Sequence, residues 1–176
     1  WVLYHGATAF ETGVNRCTHA DLVAAERLAA MLKAMHGDAY PYPREDLRHA
    51  YRTMLLADEA DWGSYSSVTE PDSLQTRGQR AEEQAFVFQV AINAKELAEN
   101  AMSRLARSAA PRQRNGILVA NTSGWNRSEV VTVSIPEKLL GTGGGVRVID
   151  AATGETVDAQ VVEIQKDRPA QRIAFR

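Results

Sequence analysis

"DSLQTRGQRAEEQAFVFQVAINAKELAENAMSRLARSA", residues 72 to 109, decides the fold. Val87, Ala91, Ala94, Ala98, Ala101 and Leu105 recur four and three residues apart, so they share one stripe of a single long helix. Such a stripe is buried when a helix packs lengthwise along others, and its alanines let the axes approach closely. Gly78 weakens the start by about 1 kcal/mol relative to Ala, which predicts fraying or a bend there. Pro111 closes the helical half of the chain.

A helix with a lengthwise seam needs partners, and two lie upstream. "THADLVAAERLAAMLKAMHG", residues 18 to 37, reads as a helix capped by Thr18 with Asp21 three positions on. Leu22, Ala25, Leu28, Ala29, Leu32 and Met35 form its apolar face, and Gly37 stops it. Pro43 then opens a second helix with acids in its first turn, where the dipole favours them. Leu47, Tyr51, Met54 and Leu55 line one face, and the pattern runs to about Glu59. Residues 1 to 17 hold no sustained period and read as an irregular lead-in.

Beyond Pro111 the period falls to two and β-branched residues take over. Strands are expected at "GILVAN" (116–121), "SEVVTVSI" (128–135), "VRVID" (146–150), "TVDAQVVEI" (156–164) and "QRIAF" (171–175). Three helices followed by strands imply an α+β chain: a three-helix bundle over 1–110, then antiparallel strands over 111–176 that begin a β-sandwich-like region.

The 176 residues are enough for one medium domain or two small ones with their own cores. A net charge of −2 gives no electrostatic reason to expect nucleic acid or an anionic membrane as partner. No run reaches the ~20 apolar residues of a membrane span. A single cysteine, Cys17, excludes an internal disulfide and points to a reducing, cytoplasmic compartment. Cys17 has no accompanying His, Asn or Asp pattern, so it reads as a packing residue rather than a nucleophile. The chain opens on Trp1 and closes on "QRIAFR", which reads as mid-strand, and a piece of a longer protein is expected.

"GTGGG" (141–145) lacks phosphate-loop spacing and reads as a turn between strands. "NTS" at 121 and "NRS" at 126 match the glycosylation triplet, which short sequences reach by chance. His5, His19, His36 and His49 show no metal-binding spacing; His19 reads as a first-turn residue and His36 as a last-turn residue. More unusual is "LLADEADWGSYSSVTEPDS", residues 55 to 73. Asp58, Glu59 and Asp61 stand at the C-terminal end of a helix, where the dipole disfavours them by up to about 1 kcal/mol each. They could be a solvated end with Asp61 capping the loop. Beside Trp62 and Tyr65 they could instead line a sugar site, with aromatic faces stacking on C–H surfaces and carboxylates accepting from hydroxyls. Spacing alone does not choose.

In order along the chain, the segments resemble the middle region of glycoside hydrolase family 38, the α-mannosidases. "YHGATAFETGVNR" (4–16) looks like that family's entry into its helical domain. "VAAERLAAMLKAMHG" (23–37) is similar to its first bundle helix, and "YPREDLRHAYRTMLLADEADWG" (42–63) to its second helix and metal loop. "GILVANTSGWNRSEVVTVSIP" (116–136) looks like the passage into its C-terminal β region, and "AATGETVDAQVVE" (151–163) like the next hairpin.

The resemblance implies a bundle that supplies scaffold and one wall of a mannoside site through Asp58, Glu59, Asp61, Trp62 and Tyr65. The nucleophile, the acid/base and most ligands of a divalent metal, normally zinc, would lie in an upstream catalytic domain. By this reading the fragment is inactive alone and binds no zinc by itself. The loop Asp58-Glu59-Ala60-Asp61-Trp62-Gly63 resembles a bacterial variant of the family's metal loop, with Ala60 where the ligating His is expected. Ala has no donor atom. The parent then binds metal with fewer protein ligands, uses Glu59 or Asp61 instead, or has lost catalysis. A rival expectation is a non-catalytic helical interaction module with a β appendage.

Overall fold

The computed structural model describes residues 8–58, 64–109, 116–136, 146–165 and 170–175. Contacts divide the chain into two compact units, Trp1–Arg112 and Gln113–Arg176.

The first unit holds three helices: α1 (Ala9–His36), α2 (Arg44–Ala57) and α3 (Leu74–Ser108). Gln84 of α3 meets Glu11 of α1, and Ser108 of α3 meets His36, so these two helices run side by side in the same direction. Tyr51 of α2 meets Glu26 and Asp58 meets Asn15, so α2 runs the opposite way. The core is drawn from all three: Leu22 packs with Leu47, Ala50, Met54, Val90 and Ala94. α3 starts at its cap, where Ser73 accepts from the Thr76 N–H at 3.2 Å. The expected seam is present, with Val87, Ala94, Ala101 and Leu105 buried, Val90 added to it, and Ala91 and Ala98 half-buried.

The start of α1 corrects the sequence reading. Residues 9 to 17 are helical rather than an irregular lead-in. Thr18 is no cap: it is buried in mid-helix, and its hydroxyl donates to the Val14 carbonyl at 2.9 Å. The buried positions Glu11, Asn15, Thr18, Leu22, Ala25, Ala29 and Leu32 form one uninterrupted ladder of fours and threes. Its first three rungs are polar, so an apolar pattern begins only at Leu22 although the helix began three turns earlier. Met35 is exposed at the far end instead of extending the apolar face, and Cys17 is exposed rather than packed.

Gly78 lies within regular α3, exposed, with open space where a Cβ would stand. Gly78→Ala is therefore expected to stabilise the helical unit by about 0.5–1 kcal/mol through the unfolded chain's lost freedom. Urea unfolding followed by helical circular dichroism reads this directly. An unchanged or lowered midpoint would contradict it.

Tyr51 ties α2 to α1 by donating its hydroxyl to Glu26 at 2.6 Å. Burial first, and then that hydrogen bond, push the phenol up from 10.0 to about 12. Because the folded value lies above the unfolded one, this contribution is intact below pH 10 and is lost as pH rises through 12. Tyr51→Phe should lower stability at neutral pH by about 1–2 kcal/mol. It should also flatten the stability profile across that alkaline window, and the same steep decline in both proteins would refute the assignment.

In the second unit, β1 (Val131–Pro136), β5 (Ala170–Phe175) and β4 (Ala159–Gln165) form an antiparallel sheet with β5 central. Val133, Ile173 and Val161 align across it, and Ile173 is buried. β4 carries a register shift between Val161 and Glu163. β2 (Val148–Ile149) and β3 (Thr156–Val157) make a separate hairpin. Its loop turns on Asp150, whose carboxylate accepts from the Ala152 and Thr153 N–H groups, and on Gly154 at φ 76.

Two strand expectations change. "TVDAQVVEI" is divided at Asp158 between the two sheets. "GILVAN" forms no strand among the described residues: Ile117, Leu118 and Val119 are exposed, and β propensity without a partner strand makes no ladder. "GTGGG" lies outside the described residues. Asn121 donates to the Trp125 carbonyl and accepts from the Ser123 N–H, which closes the "NTSGWN" turn. No helix among the described residues is long and apolar enough to cross a membrane.

Candidate functional site

The ladder of α1 changes character towards its N-terminus, and the polar rungs point to where Asp58 leaves α2. Asp58 caps α2, with its backbone N–H still bonded to the Met54 carbonyl at 2.9 Å. A carboxylate there faces the negative end of the helix dipole. Partners from α1 offset that. The Asn15 side-chain amide donates to Asp58 Oδ1 at 2.6 Å, and His19 Nε2 lies 3.0 Å from both carboxylate oxygens. Since the carboxylate only accepts, Nε2 carries the proton in this pair.

His19 is thus ten residues inside α1, not in a first turn, and its role is to hold the root of the acidic segment. His36 is in the last turn as expected, bonded to Ser108. His49 is exposed beside Asp46 in a groove of about 270 Å³ between α2 and α3, shared with Asn93, Glu96 and Asn100.

The other polar rungs are also engaged. Glu11, 7% exposed, accepts from the Gln84 amide at 2.6 Å. Thr8, Ser64 and Thr76 are buried at this end of the helices. Asn15 Oδ1, Ser64 Oγ and Arg80 Nε are buried with no hydrogen-bond partner among the described residues.

Of the expected sugar-lining residues, Asp58 and Tyr65 are described, while Glu59, Ala60, Asp61 and Trp62 lie outside the described residues. Tyr65 is 93% exposed, and its backbone N–H donates to Gln79 Oε1 at 3.3 Å, so the ring is presented to solvent from an anchored backbone. Tyr65 can stack on a flat apolar face and Asp58 can accept hydrogen bonds. Among the described residues neither is hydrogen-bonded to a Ser, Thr or Cys side chain: Asp58 is held by Asn15 and His19, and Tyr65 by Gln79.

A resident metal finds no fit among the described residues. Asp58 and His19 offer two donor groups already turned on each other, and no group of three His, Cys, Asp or Glu side chains converges.

Sequence reading missed Asn15, His19, Glu11 and Gln84 as a set. One signal was available: Thr8 followed three positions later by Glu11 has the spacing of a helix start. The 4-3 ladder then passes through Asn15 and Thr18 when polar residues are counted. The chain matches no family model, no curated protein and no solved structure.

Proposed function

We propose that this chain is the central region of a family 38-like α-mannosidase, providing scaffold and one wall of the sugar site rather than the reacting groups. The observation that supports this most is order. Two helices, an acidic–aromatic loop, a long third helix and then antiparallel strands follow one another here as the resembling segments do in that family. The anchoring of Asp58 by Asn15 and His19, with Tyr65 exposed beyond it, suits a loop held out towards a neighbouring domain. On this reading the 176-residue chain alone is inactive, and the substrate is an α-mannoside bound between it and an upstream catalytic domain.

The test is made on the full-length polypeptide. Hydrolysis of an aryl α-mannoside by that protein, with none by the 176-residue chain, is the expected result. Ala60→His in the full-length protein should tighten zinc binding if position 60 inherits the family's ligand site. An upstream region without an α/β domain carrying a His-x-Asp motif would overturn the proposal. It would favour instead a helical interaction module, for which exposed Leu55, Leu56 and Leu74 would supply contact surface.

A further inference from the structure

The other end of the helical unit carries a different chemistry. Roughly 25 Å along α1 from His19, at 1.5 Å per residue, a cavity of about 260 Å³ opens between the ends of α1 and α3. Leu32, His36, Tyr40, Arg104, Arg107 and Ser108 line it. Tyr40 and Leu32 are buried, and the Arg104 guanidinium carbon sits 5.6 Å from the centre of the Tyr40 ring. A guanidinium stacked on an aromatic face loses rotamer freedom but keeps its in-plane N–H donors for another partner. Ser108 Oγ lies 3.0 Å from the Arg104 carbonyl and 2.9 Å from His36 Nε2. The hydroxyl has one proton, and once it goes to the carbonyl, His36 must donate in the second contact.

Two guanidiniums, an imidazole and a phenol therefore surround one concave space whose lining, among the described residues, holds no carboxylate. Among the described residues neither Arg104 nor Arg107 forms an ion pair; the acid nearest them in sequence, Glu99, pairs with Lys95 at 3.8 Å, and Asp38, next to Ala39 of the lining, is bonded to Lys33 at 3.0 Å. Cations in the last turns of α1 and α3 offset the negative helix ends, which explains their presence singly. It does not explain their gathering around a cavity without an acid.

We propose that this cavity binds a phosphoryl group, either inorganic phosphate or the phosphate of a small phosphomonoester, through Arg104 and Arg107. Guanidinium forks match tetrahedral oxyanions in geometry and charge. The volume admits the anion and a small organic remainder. The site is remote from Asp58 and stands whether or not the mannosidase reading does.

Isothermal titration of the 176-residue chain with inorganic phosphate, and separately with a hexose monophosphate, tests it at ionic strength held constant with chloride. Saturable one-to-one binding is expected. Arg107→Gln should weaken it about tenfold, the loss of one charge-assisted contact. Arg104→Gln should weaken it at least as much, with helical circular dichroism as the check on folding. Arg107 is exposed, so its variant remains informative even where loss of the Arg104–Tyr40 stack disturbs the fold. Tighter binding of the ester assigns the site to phosphomonoesters, and equal binding assigns it to free phosphate. Absence of saturable binding by either probe, or unchanged affinity in Arg107→Gln, overturns the proposal.

Discussion

Leu22→Ala is expected to lower the unfolding free energy of the helical unit by about 3 kcal/mol, within the 2–5 kcal/mol range for emptying such a core position. Leu22 is 0% exposed and is the α1 member of a cluster with Leu47, Ala50 and Met54 of α2 and Val90 and Ala94 of α3. Removing it takes apolar contact from both neighbouring helices at once, and small alanines opposite cannot reach in to fill the space. Against a total of about 5–15 kcal/mol for a domain, the melting midpoint should fall by on the order of 10 °C. Met35→Ala, at an exposed position of the same helix, is the control and should change little. Equal shifts from the two variants would mean that the helices do not share this core.

The difference between those two residues marks what the sequence could and could not convey. Hydrophobic periodicity located all three helices, because the middle of each is held by apolar contact and the 4-3 spacing of Val87, Ala91, Ala94, Ala98, Ala101 and Leu105 records it. The same method stopped at Leu22 on α1. Burial there continues through Glu11, Asn15 and Thr18; the Glu11 carboxylate, the Asn15 amide N–H and the Thr18 hydroxyl bond to specific partners on α3, on α2 and in their own helix, respectively. Partners across 43 and 73 positions leave no trace in local spacing. Among strands the failure was opposite: "GILVAN" has the composition of a strand and pairs with no strand among the described residues.

The candidate site divides in the same way. The acid–aromatic composition of residues 58 to 65 singled the segment out, whereas the anchoring of its first residue by Asn15 and His19 is a tertiary property. Asp58 at a helix C-terminus looked like an electrostatic fault. With two donors from α1 against it, the unfavourable dipole is met by charge-assisted hydrogen bonding, and position 58 becomes a fixed point from which the loop departs.

The polar rungs make a further strong demand on stability. Gln84→Leu should cost about 2–3 kcal/mol, because it leaves the buried Glu11 carboxylate without its amide donor. Replacing both residues, Glu11→Leu with Gln84→Leu, should recover most of that loss, since no orphaned carboxylate remains and the leucines extend the seam. The recovery will be incomplete: Glu11 lies in the first turn of α1, where its charge is worth about 0.3–1 kcal/mol against the helix dipole. Denaturant unfolding of the two single variants and the double gives the coupling energy as a cycle. Strictly additive losses would show that the 2.6 Å contact contributes nothing between α1 and α3. If instead the double variant regains stability, an apolar pair would serve the fold nearly as well, and the polar pair's remaining effect is positional. It fixes how far α1 is slid along α3, and that offset carries Asn15 and His19 to Asp58. Weaker coupling between His19 and Asp58 in the stable double variant than in the parent would then trace the loop's anchoring back to a buried hydrogen bond one turn earlier on α1.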